Sequence, residues 1–165
     1  NAVMTETPAW LKERILKLYY EKNFFVKYIK IKFKDFFAGE VRISMVVRQE
    51  LTNLVGTLHG GAVASMLDVV MSLTCASLQR RVLVLEFNTN FMRGTKEGDT
   101  VYAMAKIIHN GKRTIVVASR VVDADGRIIA QARGTFFVIG EFKELEDDES
   151  FISYFDTSDV LDTDD

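Results

Sequence analysis

The stretch NLVGTLHGGAVASMLD holds the residues whose types and spacing suit chemistry: Asn53, His59-Gly60-Gly61 and Asp68. A carboxylate such as Asp68 can take a proton from water or attack a carbonyl carbon itself. Backbone N–H groups at a glycine-rich helix start can hold a developing oxyanion, because two glycines let a ligand carbonyl come close. The amide of Asn53 can hold a water or a carboxylate without changing charge. Asp68 has only Ala64, Ser65, Met71 and Ser72 as helical neighbours, so no basic side chain lies within a turn of it. An ionised carboxylate in a dry helix core must be neutralised, hydrogen-bonded, paired or placed where the apolar wall opens. Two readings therefore stand side by side: a structural Asp68 held by its two serines, or a pocket residue. His59-Gly60-Gly61 is likewise either an anion-binding helix start or a tight loop-to-helix turn. Nine residues of helix separate His59 from Asp68 by roughly 13 Å. One subunit would bring both to the same carbonyl only awkwardly, whereas two antiparallel helices across a dimer interface would do so readily.

Other chemistries are disfavoured by what the chain contains. His59 and His109 are the only histidines, no His or Cys cluster has metal-ligand spacing, and no glycine-rich phosphate loop ending in Lys-Ser or Lys-Thr is present. Ser65 and Ser72 lack the strand-to-helix elbow of a hydrolase triad. No metal and no cofactor are expected. A formal net charge of −2 does not describe a nucleic-acid binder, and 48% hydrophobic against 27% charged residues describes one globular domain. The single cysteine, Cys75, excludes an intrachain disulfide framework, and residues 60–78 carry Asp68 and several hydroxyls, unlike a membrane span. The expectation is a soluble cytoplasmic protein.

The elements that must position these residues follow from periodicity. Thr7-Pro8 has the form of an N-cap and first helical position, and Trp10, Leu11, Ile15, Leu18 and Tyr19 recur at helical spacing. From Phe25 to Val47 the pattern predicts two strands turning near Gly39. Residues 59–78 predict a helix apolar on nearly every side, which must be covered all round. Strands are expected over 82–92, 100–109, 114–123 and 127–138. Asn110-Gly111 and Asp125-Gly126 are strong hairpin signals between them, so a meander of these four is expected. This order predicts an α+β fold, a mainly antiparallel sheet of about six strands wrapped around one long helix. One helix cannot cover both faces of such a sheet, so at least a dimer is expected. The parts are an N-terminal helical extension (1–24), the main domain (25–140) and an acidic tail (141–165), the last read as a solvated terminus.

Taken together, Asn53, Gly56, His59-Gly60-Gly61 and Asp68 resemble the signature of the hotdog-fold acyl-CoA thioesterases of the phenylacetate-pathway and human thioesterase-superfamily type. LEFNTNFMRGTKEGD and GRIIAQARGTFFV are similar to the strands that follow in that family, so the resemblance covers about residues 25–139. It implies a hotdog fold and a homodimer or homotetramer, a dimer of dimers, with acyl-CoA as substrate and sites at the subunit interface. By that resemblance the Gly61 N–H polarises the thioester carbonyl, Asp68 of the facing subunit is general base or nucleophile, and Asn53 places thioester or water. His59 belongs to the same set, and Gly60 lines it. Arg93 and Arg113 are candidate contacts to CoA phosphates. Val84 stands where some relatives carry a serine that orients the attacking water, with Asn88 or Thr89 as candidate replacements. That departure keeps a non-catalytic acyl-CoA-binding or sensing domain as the alternative, and a hotdog hydratase or dehydratase as a third.

Overall fold

The computed structural model describes residues 5–145; most of the acidic tail, from Glu146 on, lies outside the described residues. The chain opens with helix α1 (Ala9–Lys17), which runs through one π-helical turn (Leu18–Lys22) and Asn23 into helix α2 (Phe24–Ile29). Pro8, extended at φ −53° and ψ 138°, is the residue before α1, so the helix begins later than Thr7-Pro8 suggested. The strand expected from Phe25 is helical at its start. Asn23 accepts the Val26 N–H at 3.1 Å as an N-cap, and Val26 and Ile29, three residues apart, are both buried. Alternation among so few residues does not separate period 2 from period 3.6, and the cap decides it. Lys30, left-handed at φ 55°, ends α2.

Strands β1 (Lys32–Phe37) and β2 (Glu40–Val46) form the expected hairpin, turned at Gly39 with φ +78°. A loop then leads into helix α3 (Gly60–Ala76), followed by β3 (Arg80–Phe91), β4 (Thr100–Asn110), β5 (Thr114–Val122) and β6 (Ile128–Glu141). One six-stranded antiparallel sheet results, in the order β1-β2-β4-β5-β6-β3. β4, β5 and β6 form the expected meander. β3 does not pair with β4. The connection over residues 92–99 is too long for a tight hairpin and carries the chain across to β2, while β3 pairs with β6 and becomes the sheet's edge.

α3 packs on β2, β3, β4, β5 and β6. Alternate residues supply the sheet's side of the core: Val41, Ile43 and Met45 from β2, Val101, Ala103 and Ala105 from β4, Ile115 and Val117 from β5. Leu11, Ile15, Leu18, Val26 and Ile29 join the same core from the N-terminal helices. From Val63 to Ala76, every residue of α3 is buried except Ala64, Ser65, Asp68 and Ser72. Those four share one face, and their spacing marks the stripe of α3 that its own chain leaves uncovered.

Candidate active site at the α3 stripe

Asp68 sits half-buried on that stripe, and its carboxylate has no hydrogen-bond or ion-pair partner among the described residues. Burial pushes its pKa above the usual carboxylate range. The two serines do not rescue it. Ser65 Oγ donates to the Gly61 carbonyl at 2.7 Å, and Ser72 Oγ lies 3.2 Å and 3.1 Å from the carbonyls of Asp68 and Val69. Each hydroxyl turns back onto its own helix, as mid-helix serines do, and leaves the carboxylate to face outward.

The helix start is organised by His59. In extended conformation at φ −61° and ψ 137°, it accepts the N–H groups of Ala62 (2.9 Å) and Val63 (3.1 Å) on its carbonyl. Its Nδ1 accepts the Gly61 N–H at 2.8 Å, which places the imidazole proton of the neutral ring on Nε2. Gly61's donor is therefore occupied within the chain, whereas Gly60's N–H has no partner among the described residues. A Cβ on Gly60 would touch the Phe91 ring at 3.6 Å, so the end of β3 lies beside this helix start.

Asn53 builds the loop that delivers His59. Its Oδ1 accepts the N–H groups of Val55 and Thr57, both at 3.1 Å, and its Nδ2 donates to Thr57 Oγ1 at 2.8 Å. This turn, with Gly56 at φ +79°, hangs on the residues before β4: the Leu58 N–H donates to the Thr95 carbonyl at 2.8 Å, and Thr57 bridges Lys96. One amide hydrogen of Asn53 remains for a ligand or water.

Arg93 and Arg113 are not brought together. Arg93 lines a shallow pocket of about 370 Å³ with Lys96, Asp123, Asp125 and Arg127, on the side of the sheet where the Asn53 loop meets Lys96. Arg113 lies in the β4–β5 turn, where its carbonyl accepts the Val138 N–H at 2.8 Å. With β6 residues Ala130 and Phe137 marking the two places in register, the separation is roughly 25 Å. Val84 stands on the exposed β3 edge; Glu86, two residues on, accepts the Thr135 hydroxyl at 2.7 Å, and the Thr89 hydroxyl donates to the Gln131 carbonyl at 3.0 Å.

Sequence reasoning missed Tyr19. The π-helical turn carries its hydroxyl to 3.5 Å from Ser72 Oγ, near enough to Asp68 to feel its charge. Burial of the hydroxyl, opposed by the Ser72 bond and reinforced by Asp68 and Cys75, pushes the Tyr19 pKa up to about 12. Tyr19 thus stays a neutral donor beside the stripe. Its signal in the sequence was only an aromatic on an amphipathic helix.

The comparisons with known proteins converge on this region. A family model described as the thioesterase superfamily matches residues 55–130, from the Asn53 loop through α3 into β6. Human acyl-coenzyme A thioesterase 13 is 30% identical over 135 residues, covering 80% of this chain and 96% of that protein. The chain belongs to the thioesterase superfamily. The hotdog fold of this thioesterase is shared by the solved structure of the Escherichia coli PaaI protein, with a TM-score of 0.75 and 25% identity, covering 80% of this chain and 95% of that one. A Streptococcus mutans protein solved bound to acetyl CoA overlays at a TM-score of 0.67 with 27% identity, covering 68% of this chain and 91% of that one. Among the described residues of the thioesterase, no helix is long and apolar enough to cross a membrane.

Proposed function

We propose that this thioesterase hydrolyses an acyl-CoA thioester to the free acid and CoA, using Asp68 of one subunit and the α3 start of a second copy. The carrying observation is the half-buried Asp68 carboxylate without a partner in its own chain, on the only uncovered stripe of α3. The helix start that must complete the site is roughly 13 Å away along the same axis. The β3 edge supports the second copy. It ends the sheet with unpaired backbone groups and carries exposed Leu83, Val84, Leu85 and Phe91, a surface suited to pairing with its own twin. A two-fold axis through paired β3 edges, perpendicular to the sheet, sets the two α3 helices side by side and antiparallel. Asp68 of each then approaches Gly60 and Gly61 of the other.

In this arrangement the thioester oxygen accepts the open Gly60 N–H, and the Gly61 N–H joins when His59 releases it. Asp68 either draws a proton from the attacking water or adds to the carbonyl carbon as nucleophile. Charge developing on the oxygen meets preorganised donors at the positive end of α3. Asn53, held by Thr57, offers its remaining amide hydrogen to the thioester or the water. Arg93 beside the Asn53 loop, with Lys96, suits the CoA phosphates, and Arg113 at the far end of the sheet could serve a neighbouring subunit's CoA. The working unit is the domain over residues 25–140, as a homodimer or dimer of dimers, and a cytoplasmic location fits its single buried thiol, Cys75.

Release of free CoA from a panel of acyl-CoAs tests the activity, and complementation tests the shared site. Asp68→Asn and Gly60→Pro chains, each inactive alone, regain about a quarter of wild-type activity after random mixing, because half the dimers are mixed and each mixed dimer has one intact site. No recovery on mixing refutes a site shared between subunits. Saturable acyl-CoA binding with no release of CoA would make the protein a binding domain instead.

A further inference from the structure

α2 buries one face and leaves the other bare. Val26 and Ile29 enter the core, whereas Phe24, Phe25 and Tyr28 remain 76%, 54% and 58% exposed. Phe24 and Tyr28 are four residues apart, so their rings stand one turn from each other on the outer face. Single exposed aromatics are ordinary, but these form one patch on a helix of 6 residues. Cations surround the patch. The Lys27 ammonium lies 5.9 Å from the centre of the Phe24 ring, and the Arg48 guanidinium 5.9 Å from that of Tyr28. Lys22 borders a cavity together with Phe24 and Phe25, and Lys30 closes the helix. From residue 22 to residue 34 the chain carries Lys22, Lys27, Lys30, Lys32 and Lys34 and neither Asp nor Glu. The acids that come near are Glu21, on the π-helical turn, and Glu50, which is paired with Arg48. Lys22, Lys27 and Lys30 have no ion pair among the described residues. The whole chain carries a formal net charge of −2, so this cationic surface is a local feature.

Composition and charge separate the candidate occupants. Protein–protein interfaces are depleted in lysine, and here lysines crowd the rings. A second copy docking on this face across a two-fold axis would set a like-charged patch against itself, which opposes association. Aromatic rings at headgroup depth, with lysine stems carrying their ammonium groups to anionic phosphates, are the chemistry of a helix that lies on a lipid surface. We propose that the outer face of α2 docks the thioesterase on an anionic lipid bilayer. Phe24 and Tyr28 enter the headgroup region, with Phe25 at their flank, and Lys22, Lys27 and Lys30 face the lipid phosphates. The contact is adsorption from one side, since among the described residues no helix is long and apolar enough to cross a membrane. It does not depend on which residue performs the hydrolysis. Val26 and Ile29 alone tie α2 to the core, so the outer rings can be exchanged without loss of the fold.

Co-sedimentation of the full chain with sucrose-loaded vesicles tests this, with phosphatidylcholine containing about 30% phosphatidylserine set beside phosphatidylcholine alone. A lysine close to an anionic leaflet strengthens binding about fivefold, so the serine-lipid vesicles should bind at least about thirtyfold more tightly. Salt at about 0.5 M should erase most of that difference. Lys22→Ala with Lys27→Ala should lower the partition coefficient about 25-fold on the anionic vesicles and leave that on phosphatidylcholine unchanged. Phe24→Ser with Tyr28→Ser should lower it at least about tenfold at an unchanged Tm. No binding to the anionic vesicles, equal binding to both compositions, or folded variants that bind as the wild type does would each overturn the proposal. A Phe24→Ser, Tyr28→Ser chain that sediments as a smaller oligomer than the wild type overturns it too, because the rings would then lie between copies of the chain.

Discussion

Replacing Asp68 by Asn should make the protein more stable and nearly inactive at once, a combination a structural carboxylate would not produce. Once ionised, the wild-type side chain is a half-buried charge without a partner among the described residues. The Asn amide keeps a polar group at the site but removes the charge, and the partial exposure of Asp68 keeps the difference small, about 1 kcal/mol. For a chain of this size that corresponds to a rise in Tm of roughly 3 °C in the Asn variant. The pH dependence carries a sign. Burial raises the Asp68 pKa, so the folded state holds the proton to higher pH than the unfolded state does. Below the unfolded carboxylate pKa of about 4, Asp68 is protonated in both states and the two proteins melt together. As pH rises through the folded pKa the wild type loses stability and the Asn variant does not, so the gap opens and then stays constant. Over the same series kcat should fall by about 10²–10⁴, the usual contribution of a positioned general base. Scanning calorimetry across acid to neutral pH, beside spectrophotometric detection of released thiol, measures both. An Asn variant that melts several degrees below the wild type at neutral pH would mean that Asp68 is held by a stabilising partner. One that keeps its rate within twofold would remove it from the chemistry.

Three further outcomes follow from the same geometry. Gly60→Pro removes the open N–H at a position where His59 is already extended and a first helical residue tolerates proline, so kcat should drop about 10²–10³-fold with little change in Tm; Gly60→Ala, whose Cβ meets Phe91 only at ordinary contact distance, should keep the rate. His59→Ala frees the Gly61 N–H from its cap and should lower stability by about 1 kcal/mol in calorimetry; an unchanged Tm would mean the Nδ1 bond contributes nothing. Leu85→Lys places a charge on the β3 edge at a residue that is 59% exposed, and should yield an inactive monomer by analytical ultracentrifugation, whereas an active monomer would refute the shared site.

The sequence by itself determined the parts whose cause is local. Asn53, the His59 triplet and Asp68 were legible because their spacing is covalent and the helix that carries them is apolar over its whole length. The hairpins at Asn110-Gly111 and Asp125-Gly126 were legible because turn chemistry is written in the turning residues. Arrangements that depend on distant partners were not. β3 leaves the expected meander because its neighbour is chosen by how the chain crosses over α3, and nothing in residues 82–92 encodes that choice. Residues 24–29 are helical through one Asn23 side chain, a cap that outweighs a few alternating apolar residues. The serines could bond the Asp68 carboxylate or the helix carbonyls, and the helix geometry sends them to the carbonyls. Tyr19 reaches Ser72 across a gap of 53 residues. Spacing along the chain singled out the candidate groups, and only packing between elements decided which donor is open and which carboxylate is unpaired.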